Sequence, residues 1–186
     1  TALADNLELV LDAGVGPYVA VVTANDTTVD LSTGAAPVIS EVKTIVSSLS
    51  DARVYATPLT TIAVAIAIEG EAVADNVLAN LASAQVKAKA FFGFGMDAEI
   101  DIFTVAPILD ENTTSVDEQE KVAQYRSALE ALAFVVESGE LAFSALIDDA
   151  VDGIINDATV ISAIQNLNVV GVLSRASAAS IAELLN

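Results

Sequence analysis

Between Val54 and Ile68 the chain carries no charged residue, and this run constrains the fold more than any other feature. It contains Thr57-Pro58, a helix start signal: a hydroxyl able to cap free backbone N–H groups, then a proline whose fixed φ suits the first helical position. The helix that follows, Thr61-Ile62-Ala63-Val64-Ala65-Ile66-Ala67-Ile68, is apolar on nearly every face. With no face left for water, it has to lie at the centre of a core, walled by the rest of the chain. The remaining residues supply such walls, because 54% of the 186 are hydrophobic and mean hydropathy is +0.60. Extended disorder needs the opposite composition. This run and the other long uncharged stretch, Ala158 to Ser174, fall short of the roughly 20 apolar residues that cross a bilayer. Both also contain polar residues such as Thr or Asn, so no transmembrane helix is expected.

The expected fold class is mainly α: a multi-helix bundle over 37–186, preceded by a short β segment of two or three strands over 1–36. In that segment Leu7-Glu8-Leu9-Val10-Leu11 alternates. Tyr18-Val19-Ala20-Val21-Val22-Thr23 is β-branched and bounded by Gly16-Pro17 and Asn25-Asp26, as a strand is. Thr28-Val29-Asp30-Leu31 follows a short polar turn and suggests a hairpin. After the Gly34 to Pro37 break, Ile39, Val42, Ile45, Val46 and Leu49 recur at helical spacing and predict a first helix. A long helix from about Glu71 to Phe92 should stop at Gly93. Ile100 to Leu109 reads as extended or irregular. Ser115-Val116-Asp117-Glu118 fits a capping box opening a helix with Val122, Tyr125, Leu129, Leu132 and Val136 on one stripe, ended by Ser138-Gly139. Shorter helices are expected near Glu140–Val151, Asp157–Asn166 and Ser177–Leu185, while Val169 to Leu173 is a strand or a buried connector.

Charge and missing residue types narrow the function. Acidic residues number 26 against 7 basic ones, for a net charge of −19, and there is no His, Cys or Trp. Cysteine nucleophiles, Ser-His-Asp triads, disulfides and imidazole or thiolate metal sites are therefore excluded. Nucleic acid is not an expected partner, because neutralising phosphates needs clustered Lys and Arg. A surface this acidic keeps an apolar chain soluble and suits a saline setting that screens its self-repulsion. The expected location is extracellular or at the cell surface, with the periplasm as an alternative. The chain opens on Thr1, without a basic leader, as a processed mature protein or an excised piece would.

Gly16-Pro17-Tyr18-Val19, Val29-Asp30-Leu31-Ser32-Thr33-Gly34 and the distinctive Thr57-Pro58-Leu59-Thr60-Thr61 form a recognisable series. Through them, over about two-thirds of its length, the sequence resembles a module of large bacterial secreted and surface proteins, often lipoproteins or adhesin-like multidomain chains. Phe92-Gly93-Phe94-Gly95 with Asp101-Ile102 and Pro107 extends the likeness. In those proteins the helical unit follows a β-sandwich and carries no catalytic residues. The resemblance implies surface location and modular construction.

Several short strings carry candidate chemistry. Ser40-Glu41-Val42-Lys43 matches S-x-x-K of penicillin-recognising serine enzymes, but no Ser-Asp-Asn or Lys-Thr-Gly follows, so it reads as the solvated face of the first helix. Asp148-Asp149-Ala150-Val151-Asp152-Gly153 resembles the start of a calcium loop, but Ala150 and Thr159 stand where ligands belong. Looser calcium binding there, or at Asp110-Glu111 with Asp117-Glu118, is a weaker reading; no other cofactor is expected. Phe91, Phe92, Phe94 and Met96, clustered around Gly93 and Gly95, read as a helix end tucked into the core, or else as an apolar pocket or assembly knob. Asn25-Asp26-Thr27 and Asn112-Thr113-Thr114 are glycosylation triplets in expected surface loops. Glycoside hydrolysis by a carboxylate pair has no pair singled out among 26 acids.

Two or three short strands cannot bury both faces alone. The strands must pack on the helices or be completed by a partner strand. The leading expectation is a non-enzymatic structural or interaction protein, a self-assembling surface or filament subunit. Its partner is another copy or another surface protein, met through Tyr18, Val19, Val21, Val22, Val29 and Leu31. The alternative is a carrier of apolar, lipid-like ligands using a cavity between helices.

Overall fold

A computed structural model describes residues 7–8, 17–30, 34–46, 55–69, 77–109, 113–138 and 140–167. Among them the chain is mainly α. Strands β1 (Leu7–Glu8), β2 (Tyr18–Thr23) and β3 (Glu41–Val46) precede helices α1 (Pro58–Glu69), α2 (Val77–Phe92), α3 (Val116–Ser138), α4 (Phe143–Ala150) and α5 (Ala158–Asn166). The sheet is antiparallel in the order β1-β2-β3; Leu7 faces Ala20, and β2 pairs with β3 from Tyr18↔Val46 to Thr23↔Glu41.

The helix predicted over Ile39 to Leu49 is instead a strand through Val46, with 47–50 outside the described residues. Apolar residues at 42, 45 and 46 satisfy a helical stripe, yet burial follows a period of two: Thr44 and Val46 are buried while Glu41 is exposed. Val42, Thr44, Ile45 and Val46 are β-branched, and with β2 alongside, pairing overrides a short stripe. The β region therefore extends beyond residue 36. The hairpin strand at Thr28–Leu31 is not formed over Thr28–Asp30, and Leu31 lies outside the described residues. Asn25 explains this: its side-chain oxygen accepts from the Thr27 amide (2.9 Å) and the Thr27 hydroxyl (2.7 Å), closing a local turn. The chain then returns through 34–40 to pair β3 with β2, and the Ala24 amide meets the Ser40 carbonyl at 2.7 Å.

Helix α1 is central, as its composition requires. Leu59, Ile62, Ala63, Val64, Ile66 and Ala67 are buried, and α1 packs against α2, α3, α4 and β3. On α2, Ala84, Ala88 and the fully buried Phe92 lie at successive four-residue steps. The alanines let this helix approach α1 closely. The predicted stripe of α3 faces the core at Val122, Tyr125, Leu132 and Val136, with Leu129 partly buried. Leu146 of α4 and Val160 and Ala163 of α5 complete the core. Val19 and its cross-strand partner Ile45 share one face of the sheet, and Ala20, Thr44 and Val46 share the other. Ile45 packs against the helical core and β3 against α1, so the strands pack on the helices.

Helix ends follow the sequence signals. The Ser115 hydroxyl accepts from the Glu118 amide (3.2 Å) and the Glu118 carboxylate accepts from the Ser115 amide (3.0 Å), a closed capping box. Asp157 caps α5, accepting from the Thr159 (2.7 Å) and Val160 (3.1 Å) amides. Helix α2 stops at Phe92. The next turn carries positive φ at Phe94 (45°) and Gly95 (85°), which ends the helix. The regions 9–11, 71–76, 168–173 and 177–185, for which strands or helices are predicted, lie outside the described residues.

Candidate functional site

The joint between sheet and central helix is built by Thr57-Pro58-Leu59-Thr60-Thr61. Thr57 occupies the cap position of α1, and its hydroxyl accepts from the Thr60 amide (3.2 Å). The Thr60 hydroxyl accepts in turn from the Thr57 amide (2.7 Å) and donates to the Lys43 carbonyl (2.7 Å). The Thr61 hydroxyl accepts from the Lys43 amide (2.7 Å) and donates to the Thr57 carbonyl (2.8 Å). Both backbone groups of Lys43 are thus held by threonine side chains, which fastens β3 to the start of α1. From α3, the Tyr125 hydroxyl donates to the Ile102 carbonyl (2.9 Å) and lies 2.7 Å from the Thr57 hydroxyl, which donates to it. One proton per hydroxyl fixes this direction. Thr57, Thr60, Thr61 and Tyr125 are all buried, and every hydroxyl acts as both donor and acceptor. Desolvation pushes the Tyr125 phenol well above its ordinary pKa, against the lowering effect of its hydrogen bond with Thr57.

Beside this joint lies a half-open groove of about 720 Å³. Its sheet wall comes from Val19 of β2 and from the Val38-Ile39-Ser40-Glu41 approach to β3, with Lys43. Helix α1 contributes Thr61, Val64, Ala65, Ile68 and Glu69, and α4 contributes Phe143, Ser144 and Ile147. The α1 positions recur at helical spacing, so a single face of that helix lines the groove. Val19, Thr61 and Val64 are buried in the groove, whereas Val38, Glu41 and Glu69 are exposed at its rim. The origin lies in the sequence of α1: a helix apolar all round has more apolar surface than its helical neighbours cover. Lys43 pairs with Glu41 at 3.6 Å.

The other candidate residues fall elsewhere. Phe92, fully buried, and Met96, nearly so, are core residues, and Phe91 and Phe94 are partly buried against them. Ser40 lies just before β3 and Lys43 on it, not on a helix face, and Lys43's backbone serves the threonine joint. Of the strand candidates, Val19 is buried, Tyr18 and Val21 are half-buried, and Val22 and Val29 are exposed at 46% and 54%. Asp149 organises a turn, accepting from the Asn156 (3.1 Å) and Asp157 (2.9 Å) amides, and Asp152 accepts from the Ile154 amide (2.9 Å). Among the described residues no three His, Cys, Asp or Glu side chains gather where they could hold a metal ion. Asn25 is exposed in its turn; Asn112, Asp110 and Glu111 lie outside the described residues. No described helix is long and apolar enough to cross a membrane.

Sequence reasoning missed the groove. Its lining comes from four segments spread over 19–147, and the decisive element, β3, reads as a helix from its own residues. The apolar surplus of α1 was the available signal.

Compared with protein-family models, curated proteins and solved structures, the chain matches none of them.

Proposed function

We propose that the protein is a non-enzymatic binding protein that takes an apolar, lipid-like molecule in the groove between sheet, α1 and α4. The observation that carries this reading is the groove itself. Its volume of about 720 Å³ lies in the range typical of small-molecule sites, and apolar walls with few polar groups are their usual lining. The buried hydroxyls beside it are all committed to holding β3, α1 and α3 together, which supports a binding role over a reacting one. The acidic composition and the TPLTT-like string support placing this function outside the cytoplasm.

The test is solvent extraction of the purified protein with mass spectrometry of the extract, followed by titration of the stripped protein with alkyl probes. Ala65→Trp, on the α1 face lining the groove, should lower probe affinity at least tenfold while leaving the unfolding midpoint in place. Undiminished binding by that variant sends the ligand elsewhere; no saturable binding by the parent chain removes the reading.

Assembly is the second reading, favoured by Val22, 46% exposed on β2. Copies of this chain, or another surface protein, would pack a sheet face there. Light scattering that gives a 19.1 kDa monomer at all concentrations excludes self-assembly; a larger species that loses its excess mass in Val22→Lys supports it.

A further inference from the structure

Resting on the groove reading above, we infer that the groove selects single-chain amphiphiles with a cationic head over neutral or anionic ones. The inference comes from the charges at its mouth. Among the described residues three charged ones line the groove: Glu41, Lys43 and Glu69. The Lys43 ammonium lies 3.6 Å from the Glu41 carboxylate, so those two largely neutralise each other. Glu69 ends α1 at the rim, exposed, and among the described residues no cation pairs with it. The rim therefore carries one uncompensated negative charge beside apolar walls made by Val19, Val64, Ile68, Phe143 and Ile147. An alkyl chain lying along those walls places its head at Glu69. A net charge of −19 over the whole chain acts in the same direction at long range, attracting cations and repelling carboxylates and sulfates. Among the described lining residues Phe143 is the one aromatic, and it belongs to the apolar wall, so the head is selected by charge, and a primary amine and a trimethylammonium serve alike.

Calorimetric titration of the full chain with dodecyltrimethylammonium, dodecyl maltoside and dodecanoate, each below its micellar concentration, tests this, with circular dichroism on the same samples to exclude unfolding. The expected order is cation over neutral over anion, with steps of roughly three- to fivefold at low salt, as for single exposed charge pairs. High salt should narrow the steps. Shortening the cationic probe should weaken binding about fourfold per methylene, the mark of an apolar groove. At physiological ionic strength, where the distant carboxylates are screened, Glu69→Gln should level the three heads, and Glu69→Gln with Glu41→Gln, which leaves Lys43 uncompensated, should favour dodecanoate. Equal affinities in the parent chain overturn the head selection while the chain-length series still supports the groove. A cation preference surviving in the double variant overturns the assignment to the rim. Affinity that ignores chain length removes the groove reading and the inference with it.

Discussion

At the scale of single residues, four of the described buried hydroxyls act as one unit. Thr57, Thr60, Thr61 and Tyr125 form a network in which each removal strands a buried partner. A stranded buried donor or acceptor costs its full desolvation, about 1–3 kcal/mol. Thr61→Val keeps the side-chain shape but leaves the Lys43 amide without its hydroxyl acceptor, while the Thr57 carbonyl keeps the Thr61 amide. It should lower unfolding stability by that amount in urea titration, and more than Thr27→Val in the exposed Asn25 turn. Tyr125→Phe strands the Ile102 carbonyl and the Thr57 hydroxyl and should cost a similar amount. The phenol also gives a pH signature. Its pKa is raised in the folded state, so its contribution is fully present below the ordinary tyrosine value near pH 10. It declines as pH rises above that value, where the unfolded chain ionises first. In Tyr125→Phe, stability should fall less steeply above about pH 10 than in the parent chain.

At the scale of elements, the helix ends carry the local logic. The Ser115–Glu118 box and the Asp157 cap both use carboxylates that accept backbone N–H groups, and these hydrogen bonds hold the Glu118 and Asp157 pKa values below their ordinary range. A depressed carboxylate stabilises the fold above its unfolded pKa and loses that contribution as pH falls through the folded value. Glu118→Gln with Asp157→Asn should therefore flatten the loss of melting temperature below about pH 4. The double variant keeps acceptors at both caps, so a loss as steep as the parent's would place the acid sensitivity elsewhere. These caps were legible in the sequence because cap chemistry is local: the donor and acceptor lie within three residues. Strand β3 was not, since Val42, Ile45 and Val46 satisfy both periods and only β2 and the threonine joint decide between them. The turn after α2 shows the same limit. Gly93 announces the end of the helix, but nothing local announces that the Lys89 ammonium donates to the Ala98 and Ile100 carbonyls. Burial lowers the Lys89 pKa, and Asp101 and Asp97 oppose that. Lys89→Met removes these donors and should speed amide exchange in 97–103 while leaving α4 and α5 unchanged.

At the scale of the whole molecule, an apolar core is enclosed by a surface with 26 acids and 7 bases. Among the described residues only two ion pairs form, Lys43–Glu41 and Arg126–Glu130. With 26 acids against 7 bases, most carboxylates have no basic side chain to pair with. Folding brings these charges closer together than the unfolded chain holds them, and the repulsion works against the compact state. Salt screens it over the Debye length, roughly 30 Å at 0.01 M and 8 Å at physiological strength. Raising sodium chloride across that interval should therefore raise the melting temperature, and potassium chloride should do the same, because screening depends on ionic strength and not on the identity of the cation. With 1 kcal/mol corresponding to about 3 °C for a chain of this length, relief of even a small part of the repulsion is measurable. A melting temperature that falls with salt would mean attractive pairs dominate, in conflict with 26 acids set against 7 bases. The same measurement bears on the groove: probe binding stabilises the folded state by mass action. The gain from a cationic amphiphile should therefore shrink with salt while that from a neutral one persists.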